Sequence, residues 1–294
     1  MYANLGILRF EKLYTYFLSE KSREKIEKVI LQIALVSFLL HLILIFICRF
    51  NWITFDNEDL LKNPISAIYT PFSFILIYEV YLLIYYLPKS FTTYITKQYE
   101  IISLILIRKL FKDLANLKLS TGWFEIKGDI EFTYDIIASI LLFYLIYLFQ
   151  KQGKRVYQTN KSITKPIEKF IYRKKMIAVI LVPVFFCIAL LAFFEWTSWV
   201  SLNLNSLPSV NNIFFDTFFT VLILVDVVLL LFSFFYTDKF HKIIRNSGFI
   251  VSTILIRMSF VASGLISTIL IVFAVLFGLL IITIHNLYEK EEYR

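Results

Sequence analysis

The chain has 294 residues, 59% hydrophobic and 18% charged, with a formal net charge of +8. Its mean hydropathy is +0.72. A soluble globular protein is typically about half apolar and about a quarter charged, so this balance argues against a water-soluble enzyme or binding domain. The charges fall in clusters between long apolar runs, a pattern that points to membrane-spanning helices of about 20 residues each.

The first segment, 1–26, carries Arg9, Lys12, Lys21, Arg23 and Lys25 among several glutamates. It lacks the short apolar core and small-residue cleavage site of a signal peptide. Leu8, Phe10, Leu13, Tyr14, Phe17 and Leu18 make it an amphipathic helix. Two placements fit it: the cytoplasmic membrane interface, or a solvated helix packed on the loops.

Apolar runs then predict about eight transmembrane helices, at 27–49, 66–88, 94–116, 130–150, 175–196, 213–236, 244–261 and 264–286. The seventh is short and runs almost directly into the eighth, with a break expected near Ser263 and Gly264. The fold class that follows is an all-α integral membrane protein. A first four-helix repeat spans 27–150, a basic linker 151–174, a second four-helix repeat 175–287 and a C-terminal tail 288–294. The two cysteines, Cys48 and Cys187, lie in apolar spans without CxxC spacing and read as buried thiols.

Orientation follows from lysine and arginine, which are enriched in short cytoplasmic loops. The linker holds Lys161, Lys165, Lys169, Arg173 and Lys174, with Lys175 directly after it, and a later loop holds Lys239, Lys242 and Arg245. On the opposite side, the loop 51–61 carries Asp56, Glu58 and Asp59, and 198–212 carries no Lys, Arg, Asp or Glu. An even number of spans places both termini in the cytoplasm, with the chain in the cytoplasmic (inner) membrane. The basic face is expected to meet anionic lipid headgroups, not nucleic acid. A second copy of the chain or a membrane partner protein fits equally well as a neighbour.

The second half echoes the first. Tyr99-Glu-Ile-Ile-Ser-Leu-Ile-Leu-Ile-Arg108 aligns with Gly248-Phe-Ile-Val-Ser-Thr-Ile-Leu-Ile-Arg257, pairing Ser103 with Ser252 and Arg108 with Arg257. A constant offset pairs Lys28 with Lys175, Phe38 with Phe185, Trp52 with Trp199 and Glu79 with Asp226. Each half thus carries an acid on its second helix and an arginine on its third. Four spans per half give the halves one orientation, so the expected architecture is two parallel tandem four-helix bundles.

Ionised side chains deep in a bilayer are costly and normally pair inside the bundle. At 1.5 Å per residue, Glu79, Arg108, Asp226 and Arg257 all come out about 14–17 Å from the cytoplasmic surface. Each repeat is therefore expected to hold one buried carboxylate–guanidinium pair, bidentate in geometry. Such a pair serves either as a staple that fixes helix register or as part of a conduction, gating or coupling path. The first repeat adds His41, Lys109, Lys112, Asp113 and Asp135 as candidates for a polar path. Lys112 and Asp113 read equally as residues reaching to the outer interface. His41 also fits a hydrogen-bonded core residue, and His285 an interfacial one.

Four spans with both ends inside, and an acid on helix two facing a basic residue on a neighbour, resemble the four-helix voltage-sensor module of cation channels. That family repeats arginines every third residue on helix four. Here the fourth spans, Ile130 to Phe149 and Leu265 to Ile284, contain no arginine or lysine. The resemblance therefore implies shared architecture, not voltage sensing.

Enzyme signatures are absent: there is no H-E-x-x-H, no G-x-S-x-G and no glycine-rich phosphate loop. The three histidines are not at ligand spacing, so no metal and no cofactor are expected, and no catalytic residue is assigned. Two readings remain. One is a channel- or transporter-like protein for ion transport; the other is a non-transporting scaffold or sensor that binds a protein or lipid through its basic cytoplasmic face.

Overall fold

The structure is a computed structural model, and it describes residues 2–50, 64–116, 127–154, 165–202, 210–236, 239–262 and 264–292. These residues form nine α-helices and one short 3-10 turn at Pro64–Ile68. The helices are α1 (Tyr2–Leu18), α2 (Glu20–Arg49), α3 (Tyr69–Tyr86), α4 (Phe91–Asn116), α5 (Lys127–Gly153), α6 (Lys165–Leu202), α7 (Val210–Phe234), α8 (Phe240–Val261) and α9 (Gly264–Glu292).

Helix boundaries have local causes. Ser19 separates α1 from α2, and its hydroxyl accepts from the Ser22 amide at 3.2 Å, satisfying one of the free amides at a helix start. Pro88 follows α3. Ser90 caps α4 by accepting from the Thr93 amide at 3.1 Å. Gly264 takes φ of 60° between α8 and α9, a left-handed conformation that glycine adopts without a side-chain clash. The expected break near Gly264 is therefore where the chain turns. Two boundaries differ from the sequence expectation. The first long helix begins at Glu20, because Ser19 caps it there, and α9 runs on through the expected tail to Glu292.

Five helical stretches are long and apolar enough to cross a membrane: Phe10–Arg49, Ile130–Gly153, Ile167–Leu191, Thr217–Phe234 and Gly264–Glu292. Thr70–Tyr86 is apolar but shorter. Helices α4 and α8 coincide with the remaining two predicted spans and carry more polar residues, including Arg108 and Arg257.

What the helices bury and expose is inverted relative to a water-soluble protein. The buried residues of α9 are Ser267, Thr268, Ile271, Ala274, Val275, Gly278, Ile282, His285 and Asn286, at a three-to-four-residue spacing that marks one helix face. The other face exposes Ile266, Ile269, Phe273, Leu280 and Ile284. Helix α2 buries Ala34 and Ile45 and exposes Leu35, Val36, Leu39, Leu40 and Ile43. Large exposed apolar surface of this kind suits lipid, whereas small and hydroxyl residues suit helix contacts inside a bilayer. Cys48 is half-buried and Cys187 exposed, both as free thiols. The apolar setting of Cys187 is thus an outward surface, not the interior expected from its sequence.

The chain forms two compact units. One comprises residues 1–85, 107–132 and 179–218, and the other 86–106, 133–178 and 219–294. The first unit is held by contacts such as Tyr78 Oη donating to Glu27 Oε2 at 2.7 Å and Tyr81 Oη donating to the Phe17 carbonyl at 2.8 Å. The second has an aromatic core in which Phe149 packs on Tyr99 and Phe249, with centroids at 4.8 and 5.5 Å. Its hydrogen bonds join segments from both halves of the sequence, Tyr99 with Ser252 and Asp135 with Thr268, and Asn286 bonds Gln152 at the start of the linker.

Candidate functional site

Helices α4, α6, α7 and α8 bring a charged cluster together in the second unit. The Arg257 guanidinium donates through Nη2 to Asp226 Oδ2 at 2.7 Å, and the two side chains are 4% and 0% exposed. Tyr94 Oη donates to the other carboxylate oxygen, Oδ1, at 2.9 Å. The same Arg257 Nη2 makes a long 3.4 Å contact to Gln98 Oε1. Tyr94 and Gln98 lie four residues apart on α4, hence on one helix face.

The expected bidentate geometry is not what forms. One carboxylate oxygen is taken by Tyr94, so a single guanidinium nitrogen meets Asp226, and Arg257 Nη1 is buried with no hydrogen-bond partner.

Lys174 departs most from expectation. Within a run read as an exposed basic face, it is 2% exposed. Its ammonium donates to the Lys89 carbonyl at 2.7 Å and lies 4.5 Å from the Phe91 ring centroid and 5.4 Å from that of Phe170. It is also attracted by the Asp226 carboxylate. A lysine this deep is tolerated when a carbonyl and aromatic faces replace its water.

In the same unit, Thr268 Oγ1 donates to Asp135 Oδ1 at 2.5 Å. Tyr99 and Ser252 share a hydrogen bond of 2.6 Å, and the Ser252 hydroxyl donates to the Ala274 carbonyl. Gly278 makes room for the Tyr99 hydroxyl, since a Cβ at 278 would lie 1.9 Å from that oxygen. His285 is buried beside Arg245, 3.0 Å from Nη1, and not at an open interface. Asp135, expected near an outward path, is buried as well.

Glu79, Arg108, His41, Lys109 and Asp113 belong to the first unit, and the basic run 161–175 to the second. Glu79 is 3% exposed, is attracted electrostatically by Arg108, and has one carboxylate oxygen, Oε2, without a hydrogen-bond partner. His41 Nδ1 lies 2.5 Å from Thr70 Oγ1. Lys109 and Asp113 are half-buried on α4. The side chain of Lys112 lies outside the described residues, as do all of Lys161 and the side chain of Lys165. Lys169 and Arg173 are exposed and Lys175 is half-buried. Arg173 lies over the Phe232 and Tyr236 rings at 5.2 and 5.7 Å.

Tyr94 and Gln98 escape the sequence reading, because an uncharged polar residue on a helix gives no depth signal. Their four-residue spacing on the helix before Arg108 is the one clue. Among the described residues, no group of three or more His, Cys, Asp or Glu side chains is arranged to hold a metal. A cleft of about 300 Å³ lined by Thr92, Thr96, Lys97, Glu100, Gln150 and Lys154 also lies in the second unit. Within it, Lys97 and Gln150 both bond the Glu100 carboxylate.

No protein-family model, curated protein or solved structure matches the chain. What is established is an all-helical protein with helices apolar enough to cross a membrane and a buried Asp226–Arg257 pair.

Proposed function

We propose that the protein is a channel- or transporter-like membrane protein for ions. In this reading eight helices span the cytoplasmic membrane, both termini face the cytoplasm, and the charged cluster around Asp226 and Arg257 acts in permeation or coupling. One observation carries the reading. Two cations, Arg257 and Lys174, and one anion, Asp226, are kept inside helix packing where apolar residues of similar volume would hold the helices at least as well. Charges retained at that cost in a membrane interior normally serve ions or protons. Glu79 and Arg108 in the first unit are the second such element.

Ion and proton flux into liposomes containing the purified protein tests this. Wild type is expected to conduct, and Asp226→Asn and Glu79→Gln are expected to lose flux while eluting as folded protein. Wild-type flux no greater than that of empty liposomes, under every ion gradient and applied voltage, would overturn it.

A scaffold reading has one observation in its favour. Lys169, Arg173 and Lys175 line an open groove with Tyr172 and Glu168, a surface suited to anionic headgroups. It predicts that Lys169→Glu and Arg173→Glu weaken retention of anionic lipid and leave flux unchanged.

A further inference from the structure

Glu79 sits in the middle of an apolar stripe of α3. Leu76 and Leu83, three residues before it and four after, share its helix face, and both are buried, as are Val80 and Ile84. Glu79 is 3% exposed, and its Oε2 atom receives no hydrogen bond.

The ionisable groups around α3 in the first unit mostly engage other residues. From α2, Glu27 accepts from Tyr78, His41 bonds Thr70 and Arg23 lies over the Tyr85 ring at 5.5 Å. From α1, Tyr14 faces Tyr85. From α4, Arg108 attracts the Glu79 carboxylate, and Lys109 and Asp113 follow Arg108 on that helix. Among the described residues, Arg108 is the one charged group whose field is felt at Glu79. Attraction without a hydrogen bond to Oε2 replaces only part of the water that a carboxylate gives up on burial. A buried acid avoids the remaining cost by taking up a proton. A metal cation would need about six oxygen ligands, and Leu76, Val80 and Leu83 supply no side-chain oxygen beside the carboxylate.

We infer that Glu79 is a proton site: it is held as the uncharged acid near neutral pH, and the ion that the first unit takes up is the proton. Asp226 is the internal contrast, a carboxylate with both oxygens bonded. The role given to the proton rests on the transport reading, but its place on Glu79 is measured without flux.

The first test is reaction of the purified wild type in detergent with dicyclohexylcarbodiimide, an apolar reagent that consumes protonated carboxyl groups. The acid proton passes to one carbodiimide nitrogen, and the carboxylate oxygen bonds to the central carbon. The resulting O-acylisourea rearranges to a stable N-acylurea that carries the mass of one reagent. Peptide mass spectrometry near neutral pH is expected to find this adduct on Glu79 and none on Asp226. Labelling of Glu79 in acid but not near neutrality would overturn the inference. The second test is infrared spectroscopy. Glu79→Gln is expected to lose a carbonyl stretch of an uncharged carboxyl, one that shifts in D2O in the wild type. Loss of a carboxylate stretch in its place would overturn the inference, whatever the reagent reaches. If Glu79→Gln does not fold, wild-type labelling decides. An adduct on Glu79 in a protein that carries no flux keeps the proton site and overturns the transport reading alone.

Discussion

The two halves of the sequence each offer a carboxylate, Glu79 or Asp226, and an arginine, Arg108 or Arg257, and the structure treats them differently. Asp226 is enclosed: both oxygens are bonded, its arginine lies at 2.7 Å, and a tyrosine and a lysine from elsewhere in the chain converge on it. Glu79 is equally buried, yet one oxygen has no hydrogen-bond partner and its arginine, Arg108, is only half-buried. Matching positions in the two halves therefore need not share a microenvironment. The surrounding helices decide how fully a buried charge is satisfied.

The sharpest way to break this comparison is to remove each acid. Asp226→Ala is expected to cost about 3–5 kcal/mol, because it strands a buried guanidinium. Glu79→Gln keeps shape and hydrogen bonding and is expected to cost under about 1 kcal/mol. Thermal or denaturant unfolding of both variants in detergent reads the difference, and equal losses would show that the two environments are alike.

A smaller effect tests the packing of the second unit. Gly278→Ala is expected to cost about 1–3 kcal/mol by forcing a methyl group against the Tyr99 hydroxyl. Tyr99→Phe in the same chain is expected to restore at least half of that loss, since the two residues touch and their effects will not add. Additive losses would mean that the contact is not the cause.

Thr268→Val removes the hydroxyl that bonds Asp135 and is expected to cost about 1–2 kcal/mol, the range for such bonds between membrane helices. Smallest of all, Lys169→Gln on the exposed face is expected to change stability by less than about 0.5 kcal/mol. A larger loss there would show that the basic face is part of the packing.

Much of this was legible from residue order. Long apolar runs locate the helices because a bilayer demands them, and Gly264 marks the turn between α8 and α9. Asp226 and Arg257 announce themselves because charge in such a run is costly. The partners are hidden. Tyr94 and Gln98 carry no charge, and nothing local says that a tyrosine will claim one carboxylate oxygen and prevent bidentate pairing. Lys174 is misleading for the opposite reason: it sits in a basic run in which Lys169 and Arg173 are exposed. The rings that shelter it come from Phe91, far away in sequence, and from Phe170, one helix turn before it. Nor does the repeat reveal that bonds in the second unit join the two halves.

The bond between Asp135 and Thr268 spans 133 residues, and the bond between Tyr94 and Asp226 spans 132. At a synthesis rate of about 5–20 residues per second, α5 emerges from the ribosome roughly 7–27 s before the hydroxyl that will shelter its carboxylate exists. In that interval α5 carries a carboxylate that has not yet met this hydroxyl. Biogenesis of this protein is thus a problem of order in time. Truncation after α8 is expected to leave α5 poorly inserted, although every residue of α5 is present.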